Sequence, residues 1–187
     1  EAGSLKAALK LLHERLVNEI TRLTAVRSLE RIASAPTHIE LKPILAESTG
    51  ELASLLRQSA RQLRQSALQC LNVLVERYGS EKACSGKFDD VLTELVPLVN
   101  DSDLHLAHLA LKLGRTIVAA NAKSAQMASD KLLAPLMALL SSSLLQGAAL
   151  ESVRAFVGEL SSGDAKRAAK LIEGLRALCA PDAPLGG

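Results

Sequence analysis

Apolar residues recur at helical spacing along nearly the whole chain. Ile20, Leu23, Val26, Leu29 and Ile32 fall every three residues, Ala33 widens the stripe, and Asn18 is placed to cap the helix they define. Leu63, Ala67, Cys70, Leu71 and Leu74 repeat the pattern. Asp101, Ser102 and Asp103 offer capping oxygens ahead of a third stripe, Leu104, Ala107, Leu111 and Val118. Further apolar helices are predicted over 44–56, 88–99, 132–140 and 171–178. Pro36 and Pro43 bracket one break, Gly79 to Gly86 forms a second, and Ser161-Ser162-Gly163-Asp164 a third. No segment reads better as a strand, so the expected fold class is all-α.

The stripes are themselves periodic. Ala25-Val26, Ala67-Leu68, Ala110-Leu111 and Ala149-Leu150 align at intervals of 42, 43 and 39 residues. A second, independent set does the same: Leu52-x-x-Leu55-Leu56, Leu95-x-x-Leu98-Val99, Leu136-x-x-Leu139-Leu140 and Leu175-x-x-Leu178-Cys179, at intervals of 43, 41 and 39. A period of about forty residues is that of paired-helix HEAT or armadillo repeats. One such pair cannot bury both apolar faces alone, whereas stacked pairs share a lengthwise core, and small residues at Ala25, Ala67, Ala110 and Ala149 permit close helix approach. The expected architecture is an elongated right-handed solenoid over residues 1–180, with repeats at 4–35, 43–78, 87–121 and 124–160, a half repeat at 164–180, and a flexible tail at 181–187.

Composition narrows the function. Lys and Arg total 22 against 20 Asp and Glu, and a net charge of +2 is too small for a nucleic-acid-binding surface. Two Phe, one Tyr and no Trp leave an aliphatic core and no aromatic platform for stacking bases. No apolar run is long enough to cross a bilayer, so a membrane role is not expected. Cys70, Cys84 and Cys179 form neither a disulfide framework nor a metal knuckle, which points to a reducing compartment, cytoplasm or nucleus. No secretory leader is visible and the chain does not start with Met. The final helix, with Leu171, Ile172, Leu175 and Leu178, has no following partner. The chain therefore reads as a piece of a longer array with uncovered apolar faces at its ends, prone to self-association.

Candidate chemistry is sparse. His13-Glu14 begins a zinc-protease HExxH motif, but Val17 stands where the second histidine belongs. His105 and His108, at i and i+3 beside Asp101 and Asp103, supply two imidazoles where a metal site needs three or four ligands. His38 lies between two prolines with nothing to orient it. No nucleophile elbow, phosphate loop or dinucleotide fingerprint is present, and no electropositive neighbour activates a cysteine. The expectation is no catalysis, no cofactor and no metal. The better signal is Arg57, Arg61 and Arg64, spaced i, i+4, i+7 across a helix–helix turn and interleaved with Gln58, Gln62 and Gln65. Three guanidiniums on the turn edge of a repeat can meet an acidic protein surface, while an ordinary solvated face is the plainer reading.

Four blocks resemble one family. They are ERLVNEITRLT over 14–24, IELKPILAESTGELASLL over 39–56, LVNDSDLH over 98–105 and SSLLQGAALESVRAFVGEL over 142–160. Their order and spacing are similar to an interior segment of the cullin-associated, neddylation-dissociated proteins, and residues 163–187 depart from that pattern. The resemblance implies a HEAT solenoid that wraps a cullin bound to its RING subunit and competes with substrate-receptor adaptors. It would thereby drive receptor exchange on cullin-RING ubiquitin ligases, with a preference for unmodified cullin. It implies no catalytic residues. The alternative is another HEAT scaffold, such as a nuclear transport receptor or a phosphatase scaffold.

Overall fold

A computed structural model describes residues 2–37, 39–162 and 164–178. His38, Cys179 and the tail expected at 181–187 lie outside the described residues. The helices are α1 (Ala2–Val17), α2 (Arg22–Ser34), α3 (Lys42–Leu55), α4 (Arg61–Tyr78), α5 (Lys82–Ser85), α6 (Phe88–Leu95), α7 (Leu104–Ala120), α8 (Ser124–Leu140), α9 (Gly147–Ser161) and α10 (Ala165–Leu178), with a 3-10 turn at Val96–Leu98. No strand occurs among the described residues, and the all-α expectation holds.

Local chemistry sets the boundaries, sometimes against expectation. Asn18 does not cap α2: its Oδ1 accepts the N–H of Ile20 at 3.0 Å, closing a turn. Ile20 accordingly lies outside the helix and is 93% exposed, not a core position. Of the three expected caps on α7, only Asp103 acts, its Oδ1 accepting the Leu106 N–H at 3.1 Å. Asp101 instead accepts from the Ser142 hydroxyl at 2.7 Å, and Ser102 donates its N–H to Asn100. Pro43 sits inside the first turn of α3, where its missing N–H costs nothing. Pro97 cannot donate to an α-helical ladder, and the stripe expected over 88–99 breaks into α6 and the 3-10 turn. The expected loop from Gly79 to Gly86 contains the short α5. Asp164 caps α10, its carboxylate accepting the N–H groups of Lys166 and Arg167 at 2.8 and 3.1 Å.

The chain divides into two compact units, residues 1–94 and 95–187. In the first, α1 packs on α2 and α3, α2 on α4, α3 on α4, and α5 closes against α3 and α4. First helices thus stack on first helices and second on second. In the second unit α7 packs on α8 and α9, α8 on α9, and α10 on both α8 and α9. Ala25, Ala67, Ala110 and Ala149 are all buried, as close helix approach requires, but Leu150 beside the last of them is 36% exposed. Leu171 is buried, because α10 rests on two helices, so only Ile172 of the expected uncovered face is exposed, at 51%; Leu175 and Leu178 are half-buried.

Polar contacts carry the same period as the apolar ones. Within the first unit His13 reaches Ser48, Arg77 reaches Ala33 and Ala35, and Tyr78 reaches Ile39. Within the second, Ser142 reaches Asp101, His108 reaches Ala148 and Ser152, and Arg115 reaches Glu159. Each bond joins residues about one repeat apart, so hydrogen bonding and apolar stacking fix the same register.

Candidate functional site: a basic turn edge on the first unit

Arg57 follows the end of α3, Arg61 opens α4, and Arg64 lies one turn further along α4. Only Arg57 lies in the connection between the helices, Arg61 and Arg64 belong to α4, and the three have different surroundings. Arg57 is mostly exposed, and its Nε donates to Glu94 at 2.9 Å. It borders a polar cleft with Lys87 and Asp90. Arg61 is exposed. Arg64 is half-buried, and its Nε is sealed from solvent with no hydrogen-bond partner.

Sequence reasoning missed a fourth arginine. Arg22, the first residue of α2, is also half-buried with an unpartnered, solvent-sealed Nε. Arg22 and Arg64 are 42 residues apart. Each stands three residues before its repeat anchor, Ala25 or Ala67, so the two occupy equivalent positions on adjacent helix pairs. This shared offset is visible in the sequence, but it lies in charged residues flanking the apolar anchors and not in the anchors themselves. Arg22 lines a groove of about 290 Å³ with Glu19, Leu23, Ser59, Gln62 and Leu63. The groove runs beside the start of α4, whose N-cap position is Ala60 and whose first turn has no side-chain cap. Ile20 stands exposed on the turn next to it.

The other candidates are structural in their contacts. His13 Nδ1 is 3.3 Å from Ser48 Oγ and its Nε2 is 3.9 Å from Glu47, but Ser48 is buried and cannot meet a substrate. The rings of His105 and His108 lie 6.2 Å apart, and His108 Nδ1 is taken up by Ser152 Oγ at 2.6 Å and the Ala148 carbonyl at 3.1 Å. Among the described residues no three metal-ligating side chains come together. Cys70 and Cys84 are free and buried. Burial pushes the Cys84 thiol up to about 11 and the Cys70 thiol further still, so neither is a thiolate at neutral pH. Among the described residues no helix is long and apolar enough to cross a membrane.

Comparison with solved structures defines the class. An engineered protein superposes with a TM-score of 0.74 at 17% identity, over 94% of this chain and 73% of its own. A designed armadillo repeat protein in complex with the peptide (KR)4 does so with a TM-score of 0.74 at 19% identity, over 93% and 75%. The chain is an armadillo/HEAT-type helical-repeat protein. No family model matches it, but whole sequences do. It is 37% identical to cullin-associated NEDD8-dissociated protein 1 of Arabidopsis thaliana over 99% of its length, and 38% identical to that of Dictyostelium discoideum over 81%. It is also 38% identical to cullin-associated NEDD8-dissociated protein 2 of Mus musculus over 83%. The chain is thus homologous to one segment of the cullin-associated NEDD8-dissociated proteins, and spans 15%, 12% and 13% of the lengths of these three relatives.

Proposed function

We propose that the chain is a non-catalytic protein-interaction scaffold acting on cullin–RING complexes, as part of the exchange of substrate receptors on cullin-RING ubiquitin ligases. The observation that carries the reading is similarity at 37–38% identity to cullin-associated proteins over four fifths or more of the chain. Stacked helix pairs suit the role, because within each unit they offer turns and helix faces to a partner. Residues 4–35, 43–78, 87–121 and 124–160, with a half repeat at 164–180, act as the repeats, in the cytoplasm or nucleus. Arg57, Arg61 and Arg64 are the contact residues proposed on the turn edge.

The test is capture of purified cullin–RING complexes by the immobilised chain, with the cullin either unmodified or carrying its ubiquitin-like modifier. The expected result is retention of the unmodified form in preference to the modified one. Retention of neither form by a folded chain overturns the reading.

A further inference from the structure

The repeats of this chain lie over one another residue by residue, and two positions depart from the shared burial. Four residues before the anchors Leu52, Leu95, Leu136 and Leu175 stand Ser48, Val91, Leu132 and Leu171, each no more than 2% exposed. The same register runs back 43 residues from Leu52 to the buried Leu9 and puts Leu5 at that position, where it is 42% exposed. In the second helices, Leu74, Ile117 and Phe156 stand seven residues after Ala67, Ala110 and Ala149, and all are fully buried. Ile32, seven after Ala25, is only half-buried. Leu5 and Ile32 open on one place, a groove of about 360 Å³ that they line with Ala8, Leu11, Leu12 and Ile39. Aliphatic side chains gathered in an open groove mark a contact surface.

The fold shows what covers these positions in the other repeats. Where first helices stack, His13 of α1 reaches Ser48 of α3 at 3.3 Å. Likewise α10, whose Leu171 is buried, meets α8 through Lys170 on Asp130 and Gly174 beside Met137. Where second helices stack, α2 covers α4, which holds Leu74, and Phe156 of α9 lies beside Gly114 of α7. At both positions the cover is the preceding helix pair, and the groove between α1 and α2 has the same two-helix form. A second copy of the chain suits it poorly. Its end helix α10 carries four basic residues to one acidic and α1 carries three to one, so their approach sets like charges together. The longer relatives, of which this chain spans 15%, 12% and 13%, have ample sequence for a further pair.

We propose that the groove bounded by Leu5 and Ile32 is the seat of a further helix pair of the same repeat kind, preceding residue 1 in a longer polypeptide. The first helix of that pair lies on Leu5 and the second on Ile32, through aliphatic side chains. This seat follows from the repeat architecture alone and stands whether or not a cullin is the partner.

The experiment joins to residue 1 the roughly forty residues, one repeat, that precede the matched segment in the Arabidopsis thaliana relative. The extended protein is compared with the 187-residue chain. It is expected to melt at least about 5 °C higher, and the amide hydrogens of residues 5–12 and of Ile32 should exchange at least about tenfold more slowly. Leu5→Gln with Ile32→Gln should cancel most of both effects, beyond any cost the pair has in the 187-residue chain. Leu5→Gln alone, at an exposed position, should leave that chain's melting temperature within about 1 °C. Exchange is read in the extended protein without substitutions, so the result does not depend on the variants folding. An added segment that stays unfolded by circular dichroism, an unprotected α1, or a gain that survives the double variant each overturn the proposal. So does a dimer of the 187-residue chain that Leu5→Gln dissolves, since the groove then takes a second copy. Cullin capture is scored separately on both proteins: its absence beside a protected groove rejects the cullin reading and leaves the seat standing.

Discussion

The Tyr78 hydroxyl donates to the carbonyl oxygen of Ile39 at 2.9 Å. Beside it, the Arg77 guanidinium donates to the carbonyl oxygens of Ala33, at 2.5 Å, and Ala35. Two consecutive residues at the end of α4 therefore hold the chain as it leaves α2 in the preceding helix pair. Carbonyls at a helix C-terminus have no partners within the helix, and a cation there also meets the negative end of the helix dipole. In a stacked fold such bonds fix how one pair sits on the next, a job apolar packing alone does loosely.

Tyr78→Phe keeps the buried ring and removes the donor to Ile39. Loss of one such hydrogen bond costs about 1–1.5 kcal/mol, and Arg77→Met, which strips a charged donor from two carbonyls, should cost about 2–3 kcal/mol. Urea unfolding of both variants measures this. An unchanged midpoint for Tyr78→Phe would show that water replaces the phenol and that the bond is dispensable.

Two glycines should respond to alanine in opposite directions. A Cβ on Gly114, buried in α7, would lie 3.2 Å from Leu132 Cδ1 and 3.2 Å from Phe156 Cε2. The clash spans the contacts of α7 with both α8 and α9, so Gly114→Ala should destabilise by about 1–2 kcal/mol despite better helix propensity. Gly158 in α9 is exposed, with no atom within 4 Å of its added Cβ. Gly158→Ala should stabilise by about 0.5–1 kcal/mol. Thermal melting of the pair tests the packing of the second unit directly, and a loss of stability at Gly158 would contradict it.

The fold was readable because its repeat is written twice, once in the small residues Ala25, Ala67, Ala110 and Ala149 and again in the leucines of the first helices. Breaks were read less well, since they depend on which group a side chain finds. Asn18 has the chemistry of a helix cap but spends it on Ile20, and that choice pushes an apolar residue from the helix into solvent. α1 shows only a thin seam, with Leu9 and Leu16 buried while Leu5, Leu11 and Val17 face outward, so periodicity there is weak. At the candidate site the sequence showed the local run of arginines and not their partners. Arg57 is engaged by Glu94, 37 residues away, and what sets Arg22 and Arg64 apart is the burial of a single atom in each, which no spacing rule reports.

Arg57→Ala separates the two roles open to that residue. Its pair with Glu94 is solvated on the arginine side, with 69% of that side chain exposed against 14% for the glutamate. Exposed pairs contribute at most about 1 kcal/mol and less in salt. Stability should therefore fall by no more than that, and the deficit should shrink at high ionic strength. Capture of a cullin complex should weaken by more than this small loss explains. A variant that binds as well as the original would show that Arg57 only tethers α6.

The buried thiols should make the fold sensitive to alkali. Burial raises Cys84 from an ordinary value of 9.0 to about 11, outweighing the hydrogen bond with Thr49 that favours the thiolate. Cys70 is raised further, by burial and then by the charge of Glu30. A thiol that holds its proton more tightly when folded favours the folded state only while the unfolded chain also keeps its proton. Its contribution is therefore intact below about pH 9 and is lost as pH climbs from 9 toward the folded value. For Cys84 the full loss is about 2–3 kcal/mol across pH 9 to 11, with the Cys70 share falling later. Urea midpoints taken at steps from pH 7 to 11 should stay level and then drop, and Cys84→Ala should flatten the drop relative to its own neutral-pH value. At pH 8 a thiol reagent should modify neither Cys70 nor Cys84 until denaturant is added. Rapid labelling of Cys84 in the native chain would mean that α5 opens readily, and the alkaline loss would then vanish, because an exposed thiol ionises alike in both states.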